Sequence, residues 1–274
     1  MESASRFPEP TRDDVIGNLV DHISLAEDDL GWLTDDAEVW PSAGTLLPDT
    51  TTVCPVPVLD GQGEPTGRYV TKTFESVDWV GAHLFAAYLG IECKIVGGGV
   101  EPLLPSARDA FARRESYLLE RQLVGSMMVA HGDLWDAATD ITPASGAVPL
   151  KTALALLEED ARAAYGPRAI IHMAPAAASL LGDVLVKDDD RLYTSLGTPV
   201  AAGGGYRLRQ NGPSGAEPAV GETWLYATGA ISAVRGRQIE QDGFDTTSND
   251  QRFLFERRFG LAIDGYRAAI RAVI

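Results

Sequence analysis

The chain closes on Asn249-Asp250-Gln251-Arg252-Phe253-Leu254-Phe255-Glu256-Arg257-Arg258-Phe259-Gly260-Leu261-Ala262-Ile263-Asp264-Gly265-Tyr266-Arg267-Ala268-Ala269-Ile270-Arg271-Ala272-Val273-Ile274. Phe253, Phe255, Phe259, Leu261 and Ile263 fall at odd positions, the period of two that gives a strand one buried face. Arg252, Glu256 and Arg258 take the other face. Asp264-Gly265 marks a bend, and an apolar segment then runs to the last residue. A strand this late in the sequence needs partners laid down much earlier, so the fold completes itself at its end.

Working back from this stretch, residues 223–239 read as one strand and residues 198–202 as another. Between them, residues 210–221 form a loop with glycine and proline, expected to be exposed and mobile. Residues 168–173 read as a short buried strand, followed by a helix that Pro175 opens. Leu150, Ala153, Leu154, Leu157, Ala161 and Ala164 recur at i, i+3, i+4 and i+7, so residues 150–165 are a helix that Gly166-Pro167 stops. A longer helix is expected over 105–128. Leu103/Leu104, Ala110/Phe111, Tyr117/Leu118 and Val124/Gly125 repeat every seven residues, with Ala107 and Met128 on the same side. Arg113, Arg114, Glu120 and Arg121 are expected to face away. Its length would be about 35 Å.

Residues 84–96 are a strongly apolar strand ending at Gly97-Gly98-Gly99. Before it, Gly61-Gln62-Gly63-Glu64-Pro65-Thr66-Gly67 is a turn between residues 53–59 and 68–74. This predicts a long hairpin with few large apolar residues, which must pack on something else. Pro41, Pro48, Pro55 and Pro57 confine residues 32–60 to edge strands or extended loops. Val15, Leu19, Ile23 and Ala26 suggest a short helix over 13–30, capped by Thr11 and lying as an arm across another surface. No internal repeat or low-complexity segment is present.

The 274 residues, 45% hydrophobic and 23% charged, suit a globular protein with a sizeable core. No apolar run is long enough to cross a bilayer and the first residues lack a signal-peptide core, so a protein kept in cytoplasm is expected, with no membrane partner. The net charge of −16 argues against electrostatic binding to nucleic acid, which needs cations placed along phosphates. An acidic surface would repel such a polymer, and the charge alone decides nothing about function. Lys72, Lys94, Lys151 and Lys187 are the only lysines. The remaining cations are arginines, suited to bidentate pairing with carboxylates at subunit contacts.

Cys54 and Cys93 cannot make a disulfide framework or a four-thiolate zinc site and read as buried thiols. His172 ends a buried strand just before a helix, where α/β enzymes place working groups. No nucleophile elbow accompanies it, so a satisfied structural histidine is the favoured reading. His22, His83 and His131 have no ligand spacing. Gly97-Gly98-Gly99 and Gly203-Gly204-Gly205 lack the Lys-Ser/Thr of a phosphate loop and read as sharp bends or close backbone approaches. Asp188-Asp189-Asp190 lacks calcium-loop alternation and reads as a solvated hairpin turn. No catalytic residue, cofactor-binding residue or metal ligand is assigned.

The order of these elements resembles the major capsid proteins of tailed double-stranded-DNA phages, whose fold is named after phage Hong Kong 97. The closing strand with Glu256-Arg257 carries part of the likeness. Ala169-Ile170-Ile171-His172-Met173-Ala174-Pro175 and Leu196-Gly197-Thr198-Pro199-Val200, followed by a glycine-rich turn and Tyr206, look similar to capsid proteins of actinobacterial phages. The resemblance implies an α+β fold. Its parts would be an N-terminal arm (1–45), an extended hairpin or E-loop (46–80), a peripheral domain with a long spine helix (81–146 and 243–274) and an axial domain (147–242). It implies a structural, non-enzymatic subunit that forms pentamers and hexamers of an icosahedral virion shell, assembled in host cytoplasm around double-stranded DNA without reading its sequence.

Portal, scaffolding and decoration proteins are further partners the family allows. The arm starts almost at Met1, so scaffolding would be a separate protein or absent. The C-terminal block ends in Tyr266-Arg267-Ala268-Ala269 where many relatives carry a Pro or Trp-Asp. Some members join a hairpin lysine to an asparagine of a neighbour. Lys72 and Asn249 are the conceivable pair here, although a solvated lysine is the favoured reading, and a single monomer-mass band in denaturing electrophoresis of particles would end the idea. Two alternatives stand beside the capsid reading: an encapsulin-like compartment with the same fold, and a cytoplasmic α/β hydrolase using His172.

Overall fold

The computed structural model describes residues 17–28, 38–39, 57–59, 62, 65–69, 80–81, 83–94, 104–124, 137–166, 169–245, 250–263 and 265–274. The strands of its first part are β1 (Ser24–Asp28), β2 (Glu38–Val39), β3 (Pro57–Leu59), β4 (Pro65–Tyr69), β5 (Val80–Gly81) and β6 (His83–Lys94), followed by helix α1 (Leu104–Val124). After β7 (Thr139–Asp140) and β8 (Val148–Pro149) come α2 (Leu150–Ala164), β9 (Ile170–His172) and α3 (Pro175–Leu180). Then follow β10 (Leu185–Asp188), β11 (Arg191–Thr194), β12 (Val200–Ala201) and β13 (Glu222–Thr228). The chain ends with β14 (Ile231–Gly236), β15 (Ile239–Asp245), β16 (Asp250–Ile263) and β17 (Arg267–Val273).

β16 is the axis of the first sheet. Antiparallel β6 runs along one side of it, from Asp250 opposite Lys94 to Leu261 opposite His83. β15 and β14 share the other side, with Ile239 opposite Glu256 and Ile231 opposite Ile263. The period-two pattern does what it predicts: Phe255, Phe259, Leu261 and Ile263 are buried against Phe111, Leu119 and Leu123 of α1, while Arg252 and Arg258 are exposed. Phe259 stacks on Phe85 of β6 at 5.3 Å. Each fully buried side chain of this size contributes about 1.5–3 kcal/mol, so the strand, late as it comes, carries much of this core.

The second sheet has the order β12-β9-β13-β17-β7, with β8 also paired to β17. Its core is built with α2, on which Leu150, Ala153, Leu154, Leu157 and Ala161 are buried as their spacing predicts. Gly166 ends that helix at φ 95°, where a side chain would be strained.

Four expectations change. Residues 223–239 are not one strand: the chain leaves the second sheet at Gly229-Ala230 to supply β14 and β15 to the first. The closing stretch divides at Gly265, as the expected bend predicts, but its last part, β17, joins β13 in the second sheet instead of staying with the first as expected of residues 243–274. The two crossings meet, because the Gly229 N–H donates to Tyr266 O (2.9 Å) and the Ala230 N–H to the Tyr165 hydroxyl (2.8 Å). These bonds fix both crossings at one place, where the chain changes sheet and each strand pattern is interrupted.

Third, the described part of residues 13–30 is not an α-helix. A single 3₁₀ turn, Leu19–Asp21, precedes β1, which lies parallel to β14. The open edge of β14 supplies hydrogen bonds that outweigh the weak helical spacing there. Fourth, the buried stripe of α1 is Ala107, Phe111, Glu115, Leu119, Glu120 and Leu123, so Glu120 faces inward and Tyr117 lies at its margin. Of the expected long hairpin, β3 and β4 pair antiparallel, Pro57 opposite Tyr69 and Leu59 opposite Pro65. Its remainder lies outside the described residues, as do Cys54, Lys72, Gly97-Gly98-Gly99, His131, residues 125–128 and Asn249.

Candidate functional site: a buried junction on the long helix

Three separate parts of the chain meet on one side of α1. Glu120 is wholly buried, and its carboxylate accepts the Leu19 N–H (3.0 Å) and the Gly205 N–H (2.9 Å). Burial raises its pKa above the ordinary carboxylate range, opposed by those two N–H donors and by Ser116; Asp21 raises it further. The glycine turn is shaped for this contact. A Cβ at Gly203 would lie 1.8 Å from Glu120 Oε1, and one at Gly205 would lie 2.4 Å from Glu120 Cβ and 2.8 Å from the Arg121 backbone nitrogen. The triplet is thus a close backbone approach to a helix, which also ties the N-terminal segment to the rest.

His172 lies just behind the turn, fully buried. Its Nδ1 is hydrogen-bonded to the Tyr206 hydroxyl (2.9 Å) and its Nε2 to Thr228 Oγ1 (2.8 Å). Burial, helped by His22, lowers its pKa to about 3, so the imidazole is neutral at physiological pH. Both nitrogens are occupied and no face is open, so it cannot take a proton from a nucleophile in solution. The hydrolase reading has no general base at this position.

On the next turns of α1, Glu115 accepts hydrogen bonds from Arg235 of β14 (3.2 Å) and Arg257 of β16 (3.3 Å). Arg235 also pairs with Glu27 of β1. Arg257 of the Glu256-Arg257-Arg258 cluster therefore fixes the sheet to the long helix, whereas Arg258 is exposed. In the second core Glu158 of α2 accepts the hydroxyls of Thr194 (2.7 Å) and Thr198 (2.5 Å). Sequence reasoning missed all three buried glutamates. Nothing in a local pattern tells a carboxylate bound by distant N–H groups from a solvated one.

Asp188-Asp189-Asp190 forms the exposed turn of the β10–β11 hairpin. His22 is half-buried, with Nε2 3.0 Å from Val200 O. Loop 210–221 is mostly exposed but pinned at its base, where Trp224 Nε1 donates to Ala216 O (3.2 Å). Among the described residues no group of side chains could hold a metal ion, and no helix is long and apolar enough to cross a membrane.

Two open sheets around one long helix, closed by the last strands, have counterparts among solved structures. The holo-SrpI encapsulin complex from Synechococcus elongatus matches 98% of this chain and 91% of its own, with a TM-score of 0.55 at 10% identity. The capsid of the native GTA particle matches over 100% and 95%, with 0.55 at 13% identity. The fold is the Hong Kong 97 type. A structure of Microbacterium phage Oxtober96 has it too, over 98% and 95% with a TM-score of 0.54 at 10% identity. No protein-family model matches the chain, and no curated protein sequence does. Glu115 and Glu120 are the two buried carboxylates by which α1 is anchored to the surrounding strands and to the glycine turn.

Proposed function

We propose that this protein is a major capsid subunit that assembles into pentamers and hexamers of an icosahedral phage head around double-stranded DNA. The observation that carries this is a Hong Kong 97-type fold shared end to end with shell proteins, over 98–100% of the chain. The interior supports a structural role: buried Glu115, Glu120, Glu158 and His172 are each held by hydrogen bonds from other elements of the fold. A hairpin poor in large apolar residues gains burial by lying on a neighbour, and many modest contacts multiply in a closed shell.

In this reading residues 1–45 are the arm, 46–80 the extended loop and 147–242 the axial domain. Residues 81–146 and the first strand of 243–274 make the peripheral domain, with β17 reaching back into the axial sheet. Loop 210–221 would approach the symmetry axes. The subunit would reside in the virion, be assembled in host cytoplasm, and meet portal, scaffolding and decoration proteins there.

Analytical ultracentrifugation of purified protein tests the assembly. One discrete, fast-sedimenting species far larger than any small oligomer is expected; a monomer or dimer under every assembly condition would refute it. An encapsulin-like compartment is the second reading, favoured by the likeness to the SrpI shell. Particles from the native source would then hold a protein cargo instead of nuclease-protected DNA, and the gene would lack portal and terminase neighbours.

A further inference from the structure

The exposed side of α1 carries a cluster that the shell architecture does not account for. Arg114 lies over the ring of Tyr117, its Cζ 5.4 Å from the centroid. Arg121 Nη1 donates to the Tyr117 hydroxyl at 3.4 Å, and Arg207, beyond the glycine turn, brings its positive charge close enough to the same hydroxyl to help lower its pKa. All three residues are exposed, and among the described residues none of them forms an ion pair. Yet the chain has 39 acidic residues against 23 basic ones. Where carboxylates are in such excess, three convergent arginines without one are a surface prepared for an outside anion.

We propose that the Arg114–Tyr117–Arg121–Arg207 cluster docks the carboxylates of a second copy of this chain, and that the occupant is its Asp188-Asp189-Asp190 turn. This rests on the self-assembly reading above. The turn is the tip of a two-stranded hairpin, its three aspartates are exposed, and among the described residues none of them forms an ion pair. Asp190 lines a cleft with Arg113, the residue before Arg114 on α1, so the turn reaches the same helix that carries the cluster.

Copies at −16 repel one another, so they associate only where a cation-rich surface on one meets carboxylates on the next. Arginine forks fit carboxylates in bidentate geometry, and the tyrosine ring holds two of the forks in place. A nucleic acid is the weaker occupant: phosphate tracking uses cations spread over many contacts, whereas this is one compact group on an acidic chain.

The test is a charge swap in the full-length chain. Arg114→Glu with Arg121→Glu, and separately Asp188→Arg with Asp190→Arg, should each raise the concentration needed for assembly about tenfold or more. Both changes together should restore it to near the wild-type value. All four side chains are exposed, so denaturation midpoints of the unassembled variants should match wild type, which separates docking from folding. Wild-type shells with indifferent variants, or a swap that fails to rescue, would overturn the docking alone. Arginine variants that assemble normally but lose encapsulated DNA would overturn it in favour of a nucleic-acid contact. A wild-type chain that never assembles would remove the shell reading and this inference with it.

Discussion

Gly205→Ala asks most of the packing against the long helix α1. The new methyl would stand 2.4 Å from Glu120 Cβ and 2.8 Å from the Arg121 nitrogen. Carbon atoms rest about 3.5–4.0 Å apart, so the turn or the helix must move by more than an ångström. Neither neighbouring atom is the end of a flexible side chain. Gly205 does not have a positive φ, so backbone strain adds nothing and the effect is steric. Overpacking costs about 1–3 kcal/mol, and losing a hydrogen bond to a charged acceptor about 1.5–3 kcal/mol. A loss of about 3–5 kcal/mol follows, a large part of the stability of an ordinary domain.

Gly204→Ala is the internal control, because its methyl would meet only Tyr117 Cδ2 at 3.6 Å, an ordinary contact. Urea denaturation of the unassembled subunit, followed by tryptophan fluorescence, measures both. If Gly205→Ala proves as stable as Gly204→Ala, the close approach of turn and helix is wrong, and with it the role given to Glu120.

Phe259→Ala should cost about 3–5 kcal/mol in the same assay, since the ring is fully buried, while Phe253→Ala, only partly buried, should cost clearly less. Glu115→Ala leaves Arg257 mostly buried without its carboxylate and should cost about 1–3 kcal/mol, whereas Glu92→Ala breaks an exposed pair with Arg252 and should change stability by less than about 1 kcal/mol. For His172 the folded pKa of about 3 lies below the ordinary 6.5, so the unfolded chain takes the proton first. Its contribution is therefore intact above pH 6.5 and is lost as pH falls toward 3, by about 2 kcal/mol at pH 5. His172→Gln should flatten that slope in a pH series of unfolding free energies; an unchanged slope would mean that the buried imidazole is not the group responsible.

Much of the fold was legible where one period dominates. Phe255, Phe259, Leu261 and Ile263 marked a strand because alternate burial against one helix leaves no other reading. Leu150 to Ala161 marked α2 for the same reason at helical spacing. What escaped was set by distant partners. β1 is extended because the edge of β14 lies open beside it, and β13 ends at Thr228 because Gly229 meets Tyr266. Glu120 looked solvated on its helix because its two N–H donors come from residues 19 and 205. At the candidate site, a structural His172 was readable from its apolar strand and missing nucleophile elbow. The identity of its partners, Tyr206 and Thr228, was not, since each comes from another element of the fold.

A Hong Kong 97-type chain closed by its own last strands should build shells, and electron microscopy of the purified protein decides whether it does. Uniform, hollow, closed particles are expected, with a reconstructed subunit that places the strand Asp250–Ile263 between the strand His83–Lys94 and the strand Ile231–Gly236. Fields containing only small discrete oligomers under all assembly conditions would contradict it.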